Sequence, residues 1–249
     1  MKGAIELGCF PTGRHYPGVA HLLRVAAAGL AEEFGATSAV DELEIVALDT
    51  ETTGRDAVAD RVVEVGAIVW QKGEIKARHN WLIHPGCPIP AEVTAVHGIS
   101  DEDVKDCPRF TEIVPELLEV LRGRVPLAYN AEFDRKFLTE EFSRSGVEIG
   151  KPPAALRRGV EWIDPLVWVR EIQKYEKSKA LGEVCQRLGI TLTNAHRATD
   201  DAQAAMQVLV TILPDVRLPK TYGAFIQEQR RLARLQEEER ARWRSSRGG

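Results

Sequence analysis

The chain lacks the features of a secreted, membrane-bound or strongly cationic protein. Its cysteines, Cys9, Cys87, Cys107 and Cys185, are scattered, with no CxxC pair and no histidine at zinc-ligand spacing, which favours free thiols in a reducing compartment. No apolar run approaches membrane-spanning length, and the N-terminus has no signal-peptide layout. The net charge is −4, so any polyanion must be met by local Lys and Arg groups or by bound metal ions. We therefore expect a cytoplasmic protein.

Length and composition suit a chain with a full hydrophobic core. The 249 residues are 44% hydrophobic and 28% charged, which is ordinary for a globular protein. Apolar residues at helical spacing predict a helix over Val19–Phe34. We expect an N-terminal extension over residues 1–40 that carries this amphipathic helix, a main domain over 41–216, and a charged helical tail over 217–249. The helix of the extension packs on the domain or binds a partner, and the tail is expected to be solvated or frayed.

One buried strand ends in a pair of acids. The apolar run from Ile45 to Leu48 predicts the strand, and Asp49 and Glu51 follow it. Successive side chains on a strand point to opposite faces, so these two acids share a face and Thr50 does not. Neighbouring carboxylates repel each other unless a cation lies between them, and their oxygens suit hard ions such as Mg²⁺ or Mn²⁺. Strands also often end in solvated polar residues, so this pair alone leaves both interpretations open.

The order of predicted strands and helices indicates an α/β fold. Two further strands follow the first and are joined by a hairpin-like turn at Gln71–Glu74, so the sheet begins with three antiparallel strands. Strands and helices then alternate, which adds parallel strands to a mixed sheet flanked by helices. The later elements are predicted as strands at Arg61–Trp70, Ile75–His84, Val125–Tyr129 and Trp162–Leu166, and helices at Phe110–Leu121, from Asn130 through Phe142, at Ala180–Leu188 and at Ala198–Leu213.

Two later stretches carry acids at helix starts. Asn130-Ala131-Glu132-Phe133-Asp134 lies at a strand-to-helix junction, and His196-Arg197-Ala198-Thr199-Asp200-Asp201 opens the last core helix. About one helical turn separates His196 from Asp201, so both can face one cleft. Each stretch alone is a weak signal, because acids commonly occupy the first turn of a helix, where they suit its dipole.

The three stretches together resemble a known enzyme family. The motifs are Asp-x-Glu-Thr-Thr-Gly at 49–54, Asn-Ala-x-Phe-Asp at 130–134 and His-x-Ala-x-x-Asp at 196–201, supported by residues 61–67 and 96–99. In this order and spacing they resemble the DnaQ-like 3′–5′ exonucleases with four acids and a histidine, and most of all the proofreading epsilon subunits of DNA polymerase III. The resemblance covers roughly residues 44–213. It implies an RNase H-like fold and hydrolysis of phosphodiester bonds at DNA 3′ ends, which releases nucleoside monophosphates.

The resemblance also implies two bound Mg²⁺ or Mn²⁺ ions. Hydrolysis needs an attacking hydroxide and stabilised charge on the phosphate and on the leaving oxygen, and two ions about 3.5–4 Å apart can supply these. Asp49, reaching both ions, is expected to hold the ion that activates water together with Glu51 and Asp201. Asp49 and Asp134, partly through waters, are expected to hold the ion beside the leaving oxygen.

The general base is expected to be a histidine. An imidazole with its ordinary pKa of about 6.5 can take a proton from water around neutral pH, and His196 stands at the position of the family's histidine. Asp200 competes with Asp201 as the last acid, but the His-x-Ala-x-x-Asp spacing selects Asp201.

The resemblance further assigns substrate contacts. The backbone at Thr52 and Thr53, together with His97, is expected to surround the 3′-terminal nucleotide. Asn130 and Phe133 are expected to line the strand path, although Phe133 is equally compatible with the core. Aromatic stacking there would tolerate any sequence, because every base offers a π-face.

Two details bear on substrate preference. Position 129 is Tyr, where the epsilon-like pattern usually carries His before Asn-Ala. Leu48 and Thr50 around Asp49 resemble the DNA-proofreading type, whereas oligoribonucleases usually have Asp-Leu-Glu-Met-Thr-Gly. We therefore expect action on single-stranded or frayed DNA 3′ ends.

Other functions stay open at this stage. They are an RNA-trimming exoribonuclease on the same scaffold and a polymerase-associated subunit that acts mainly through partner binding, with a DNA polymerase subunit as the possible partner. The tail could also take part in dimerisation or in contacts with nucleic acid or a polymerase. Since the proposed catalytic residues lie between Asp49 and Asp201, residues 40–216 alone are expected to hydrolyse short oligonucleotides.

Overall fold

A mixed four-stranded sheet organises the fold. The computed structural model describes residues 27–192 and 196–247, and the strands run in the order β3–β2–β1–β4. β2 pairs antiparallel with both β1 and β3, and β4 pairs parallel with β1. This confirms the predicted sheet, antiparallel on one side and parallel on the other. The strands are β1 (Ile45–Thr52), β2 (Val62–Gln71), β3 (Glu74–Leu82) and β4 (Val125–Leu127).

The β2–β3 connection is the predicted hairpin. Lys72 and Gly73 both have positive φ values, 51° and 82°. Left-handed conformations at both central residues match the right-handed twist of the flanking strands, which is why such two-residue turns join antiparallel neighbours. The connection between β1 and β2 is longer and runs over residues 53–61.

The strand predicted at Trp162–Leu166 is much shorter than expected. Ile163 forms a single parallel bridge with Leu127, at the outer side of β4. Its N–H donates to the Pro126 carbonyl at 2.9 Å, and its carbonyl accepts from the Ala128 N–H at 3.1 Å. The chain cannot continue as a strand because Asp164 caps a helix that begins at Pro165, a residue well suited to a first helical turn.

Eight α-helices lie in the described part of the chain. One of them, over residues 91–97, was not predicted from periodicity; it follows Pro90 and ends where Gly98 takes a left-handed φ of 75°. Ser100 and Asp103 cap the next helix, with Asp103 Oδ2 accepting from the Ser100 N–H at 2.8 Å. The helices are α1 (Ala91–His97), α2 (Asp101–Val104), α3 (Phe110–Leu121), α4 (Glu132–Ser145), α5 (Pro165–Ile172), α6 (Leu181–Leu188), α7 (Ala198–Ile212) and α8 (Tyr222–Arg247).

The two faces of the sheet carry separate cores. Ile45 and Ala47 of β1 pack with α5, α6, α7 and α8 on one face. Val46 and Leu48 pack with α3 and α4 on the other face. Because the side chains alternate, the odd-numbered acids that follow on β1 continue the face that is covered by α7.

The predicted N-terminal helix can be checked only at its end. Residues 1–26 lie outside the described part of the chain, and residues 27–34 form turns rather than a helix. These turns are attached to the domain, since the N–H of Ala31, a fully buried residue, donates to the Tyr222 hydroxyl at 3.0 Å.

The C-terminal helix differs from the expected solvated tail. In its first half Tyr222, Phe225 and Ile226 are fully buried and Leu232 is 5% exposed. Gln229 is also buried, and its Nε2 donates to the Trp162 carbonyl at 2.8 Å. These positions recur at helical spacing within a strongly charged sequence, so one narrow face of α8 packs on the core while the rest is solvated. The domain boundary at residue 216 stays a prediction, but a chain cut there would lose this packing.

Three of the four cysteines lie in the described part of the chain. Cys87, Cys107 and Cys185 are free, and Cys9 lies outside the described part. No helix in the described ranges combines the length and apolarity needed to cross a membrane.

We expect Phe225→Ala to lower the free energy of unfolding by about 3–5 kcal/mol, the usual cost of removing a buried aromatic ring. Trp243→Ala, near the solvated end of the same helix where the residue is 56% exposed, serves as the control and should change it far less. Denaturant unfolding of both variants measures the difference. Equal, small effects would show that α8 does not stabilise the domain.

Candidate active site

The end of β1 presents two carboxylates to the α7 side of the sheet. Asp49 and Glu51 are half-buried, and they alternate with the buried residues Thr50 and Thr52. Their positions confirm that the two acids share a face. Asp49 lies opposite Gly66 of β2 in the antiparallel register.

The third carboxylate approaches from the opposite layer. Asp134 lies in the first turn of α4 and is only 2% exposed. Thr50 points to this side of the sheet, and its hydroxyl donates to Asp134 Oδ1 at 2.9 Å. Thr50, to which the sequence analysis assigned no contact in the site, therefore orients the carboxylate of the second motif.

The fourth carboxylate and the histidine lie at the start of α7. The backbone N–H of His196 donates to Asp201 Oδ2 at 3.1 Å, and His196 has a left-handed φ of 67°. Its side chain is exposed. Potential ligand atoms of Glu51, His196 and Asp201 all lie within 4.8 Å of one another. The structure thus brings side chains of the first and third motifs together.

The carboxylates disfavour one another's ionisation. Burial raises the pKa of Asp49 well above its ordinary range, and the charges of Asp134 and Asp201 raise it further. Burial also raises the pKa of Glu51 to about 8 and that of Asp134 to about 7, although the Thr50 hydrogen bond lowers the latter. The pKa of Asp201 is raised by burial as well.

This donor set suits a divalent cation. Among residues 27–192 and 196–247, no Lys or Arg forms an ion pair with any of the four carboxylates. Clustered carboxylate oxygens without a protein cation are the ligands that Mg²⁺ and Mn²⁺ prefer, and an imidazole at the edge is compatible with them.

A buried ion pair holds α7 in place. Glu64 of β2 is fully buried, and it accepts from Arg197 Nη2 at 2.6 Å and from the Ala198 N–H at 3.0 Å. Glu64 lies opposite Glu51 in the strand register. The start of α7 is therefore held at the position of the sheet that carries the Glu51 carboxylate. The sequence reasoning missed this role, although a lone Glu within an apolar strand was a visible signal.

Close contact between β2 and α7 depends on a glycine. A Cβ added to Gly66 would lie 2.2 Å from the Ala198 carbonyl carbon and 2.3 Å from the Thr199 nitrogen. No side chain fits between the two backbones, so the first turn of α7 rests directly on the sheet beside Asp49.

Asp164 holds the backbone of the motif at residues 130–134. Asp164 accepts from the Asn130 N–H at 3.0 Å and from the Ala131 N–H at 3.1 Å. Asn130 has a φ of 70°, a left-handed conformation that Asn tolerates better than most residues. Asp164 therefore stabilises the turn from β4 into α4, a role that the sequence reasoning did not assign.

The expected substrate residues differ in their hydrogen bonds and in their exposure. The hydroxyl of Thr52 donates to the Gly54 carbonyl at 2.5 Å, and the hydroxyl of Thr53 accepts from the Arg61 N–H at 3.0 Å, so both serve the turn after β1. Asn130 is exposed. Phe133 is half-buried and contacts the Phe137 ring at a centroid distance of 4.8 Å.

His97 is the most enclosed of the expected substrate residues. It is 5% exposed, and its Nδ1 accepts from the Ile99 N–H at 3.0 Å. Its Nε2 has no hydrogen-bond partner among the described residues. Burial lowers the pKa of His97, while an interaction with the Thr52 backbone and the charge of Glu64 oppose this shift.

Tyr129 stands where the epsilon-like pattern usually carries His. It packs with the core rather than with the carboxylate cluster. Its hydroxyl donates to the Lys179 carbonyl at 2.5 Å, and its ring packs on the α7 side of the sheet. It thereby attaches the segment before α6 to the end of β4.

Comparison with known proteins agrees with these motifs. The RNase_T family model, described as an exonuclease, matches residues 46–209. The chain belongs to this exonuclease family. It is 32% identical over 173 residues to the DNA polymerase III epsilon subunit of Treponema pallidum, and the match covers 70% of this chain and 78% of that subunit. It is also 33% identical to the PolC-type DNA polymerase III of Bacillus cereus, of which it spans only 11%.

Solved exonuclease structures share the fold. Exonuclease I superposes with a TM-score of 0.60 at 18% identity, covering 68% of this chain and 40% of that one. The nuclease domain of 3′hExo, a DEDDh family member bound to rAMP, superposes with a TM-score of 0.59 at 15% identity, covering 72% and 96%. At such low identity these likenesses concern the fold alone, and they confirm the predicted RNase H-like architecture of this exonuclease-family chain.

We expect Gly66→Ala to push α7 away from β2, which would displace Asp201 and lower the free energy of unfolding by about 1–3 kcal/mol, the usual cost of overpacking. Gly182→Ala in α6 is the control. A Cβ at Gly182 meets nothing within 4 Å, and the variant should gain about 0.5–1 kcal/mol in helix stability. Thermal unfolding measures both, and an unchanged Gly66→Ala variant would contradict the close contact.

The metal-free protein is expected to lose stability as pH rises from about 5 to 8. The folded-state pKa of Glu51 rises to about 8 and that of Asp134 to about 7, so in this window the folded state binds more protons than the unfolded state. Unfolding in EDTA across this range measures the slope. Asp49→Ala should flatten it and raise the metal-free stability, and a wild-type stability that increases with pH would contradict the prediction.

Proposed function

We propose that this chain is a metal-dependent 3′–5′ exonuclease that shortens single-stranded or frayed DNA from its 3′ end and releases nucleoside monophosphates. The observation that carries the proposal is the meeting of four carboxylates from three elements, none in an ion pair with Lys or Arg of the described residues, beside an exposed histidine. Membership of the exonuclease family supports the reaction class. DNA is favoured as substrate because the relatives at 32–33% identity are DNA polymerase III proteins.

Asp49, Glu51, Asp134 and Asp201 would hold two Mg²⁺ or Mn²⁺ ions. Such ions, when bound, supply positive charge to the phosphate and make a water molecule more acidic. Asp49 is suited to reach both, because its pKa responds to Asp134 on one side and to Asp201 on the other. Glu51 and Asp201 then complete one site, and Asp134, held by Thr50, completes the other.

His196 would act as the general base. Its backbone N–H is fixed by Asp201, while its imidazole is exposed at the edge of the cluster, where an attacking water would approach. From there it can take the proton of that water as the bond to phosphorus forms. Its proximity to Glu51 and Asp201 also makes metal ligation by His196 the competing role.

The terminal nucleotide would lie over the turn after β1. The Thr52 and Thr53 hydroxyls are occupied within the turn, so contacts there would come from the backbone. His97 offers a neutral ring whose Nε2 is unpartnered among the described residues. Asn130 and the half-exposed edge of Phe133 would border the strand on the α4 side.

The direct test is degradation of single-stranded DNA labelled at either end, with and without Mg²⁺ or Mn²⁺. We expect immediate release of a 3′ label, progressive shortening of 5′-labelled strands, and no reaction without metal or in Asp49→Ala. Release of the 5′ label first, or wild-type turnover in Asp49→Ala, would contradict the proposal. A matched RNA strand tests the sugar preference, since the 2′-OH is the distinguishing group; faster loss of RNA would overturn the DNA assignment.

We expect His196→Ala to reduce the rate by about 10²–10⁴-fold, the usual contribution of a positioned proton acceptor. Metal affinity should survive, because the carboxylates supply the ligands. Rates on labelled DNA and metal titration by calorimetry measure the two effects separately. Loss of metal affinity would instead identify His196 as a ligand.

A further inference from the structure

A cleft of about 900 Å³ lies between α4, α5 and α8, outside the carboxylate cluster. One end of it is formed by Asn130 and Ala131, at the turn from β4 into α4. Asp134 follows within one helical turn, so the cleft begins beside the site that would hold the 3′ terminus. Its far wall includes Gln229 and Arg240 of α8, which lie beyond the part of the chain that matches the exonuclease family.

Two cations in this cleft form no direct ion pair with the described residues, although Asp164 and Glu237 are close enough to act on Arg170. Arg170 of α5 is half-buried, and Arg135 of α4 is also partly covered. Neither guanidinium makes an ion pair or hydrogen bond with the described residues, whereas the neighbouring Lys136 pairs with Glu132 at 2.6 Å and Arg240 with Glu237 at 3.0 Å. Holding a guanidinium half-buried without a partner is unfavourable, and an incoming anion would remove that cost.

Acidic residues also line the cleft, but most already have ion-pair or hydrogen-bond partners. Glu132 and Glu237 are in the ion pairs just described, and Glu161 lies 3.4 Å from Arg230. Asp164 accepts three backbone N–H groups. Glu140 is the remaining acid of the lining. The charges available to a ligand are therefore mainly those of Arg135 and Arg170.

Burial and the charge of Arg240 both lower the pKa of Arg170, while Asp164, Tyr129 and Glu237 oppose the shift. Arg170 and Arg240 therefore repel each other, and an anion placed between them would relieve the repulsion. This makes a phosphate a better occupant of the cleft than an apolar or cationic group.

We propose that the cleft between α4, α5 and α8 binds the single strand on the 5′ side of the scissile nucleotide, with Arg135 and Arg170 contacting its backbone phosphates. The inference rests on the proposed function, because it places the strand by its 3′ end. It gives α8 a role as one wall of the substrate path. Backbone contacts of this kind carry no sequence information, as suits an enzyme that shortens any strand.

The test measures binding of fluorescein-labelled dT8 and dT2 by anisotropy in the Asp49→Ala background, so that no strand is cut. Adding Arg135→Gln and Arg170→Gln together should weaken dT8 binding about tenfold, with a smaller loss for dT2. The dependence of log K on log salt should fall in slope by about 0.7 for each lost phosphate contact. Arg170→Lys should retain most of the slope, because a positive charge remains.

Arg122→Gln is the matched control. Arg122 follows α3 and precedes β4, so it lies at the opposite end of that strand from Asn130, and its removal should leave dT8 binding unchanged. The proposal is overturned if the double variant matches this control, if dT8 and dT2 lose affinity equally with no change in salt slope, or if the protein binds neither strand. Degradation of end-labelled DNA by the wild type reports separately on the proposed function.

Discussion

Repulsion among four carboxylates is the constraint on which the rest of this structure depends. Asp49 and Glu51 continue one face of β1, Asp201 approaches that face from α7, and Asp134 comes from the other layer through Thr50. Burial raises the pKa values of all four, and the charges of neighbouring carboxylates raise those of Asp49 and Glu51 further, so the folded chain holds these acids together against their own electrostatics. Packing elsewhere must supply the compensating free energy.

That compensation is local and specific. Glu64 fixes the start of α7 through Arg197 and the Ala198 N–H, and Gly66 lets the helix touch the sheet. Asp164 does the equivalent for the turn at Asn130. Glu64 and Gly66 lie opposite Glu51 and Asp49 in the strand register, and neither they nor Asp164 carries a positive charge. These contacts hold the elements that carry the acids and leave the acids without a Lys or Arg partner among the described residues, as the proposed divalent cations would require.

The extensions illustrate where sequence reasoning was incomplete. A charged C-terminal sequence predicted a solvated helix, yet Tyr222, Phe225 and Ile226 are buried in the domain. Only one residue in three or four contacts the core, so the apolar signal is diluted by exposed charges. The strand predicted at Trp162–Leu166 shortened to one bridge because the Asp164–Pro165 pair favours a helix start. The helix over residues 91–97 escaped prediction because it is too short to show periodicity.

The sequence by itself determined the local spacing of the candidate site residues and the strand-to-helix order: acids one residue apart on β1, and a His and an Asp one turn apart at the start of α7, follow from the fixed periods of strand and helix. It also determined the mixed sheet, since hairpin turns and alternating strands and helices are local signals. Only the tertiary structure decided that Asp134 reaches the site from the opposite layer, that Glu64 and Asp164 hold the helix starts, and that α8 closes a cleft beside Asn130. Those outcomes depend on contacts between residues far apart in sequence, for which no local period exists.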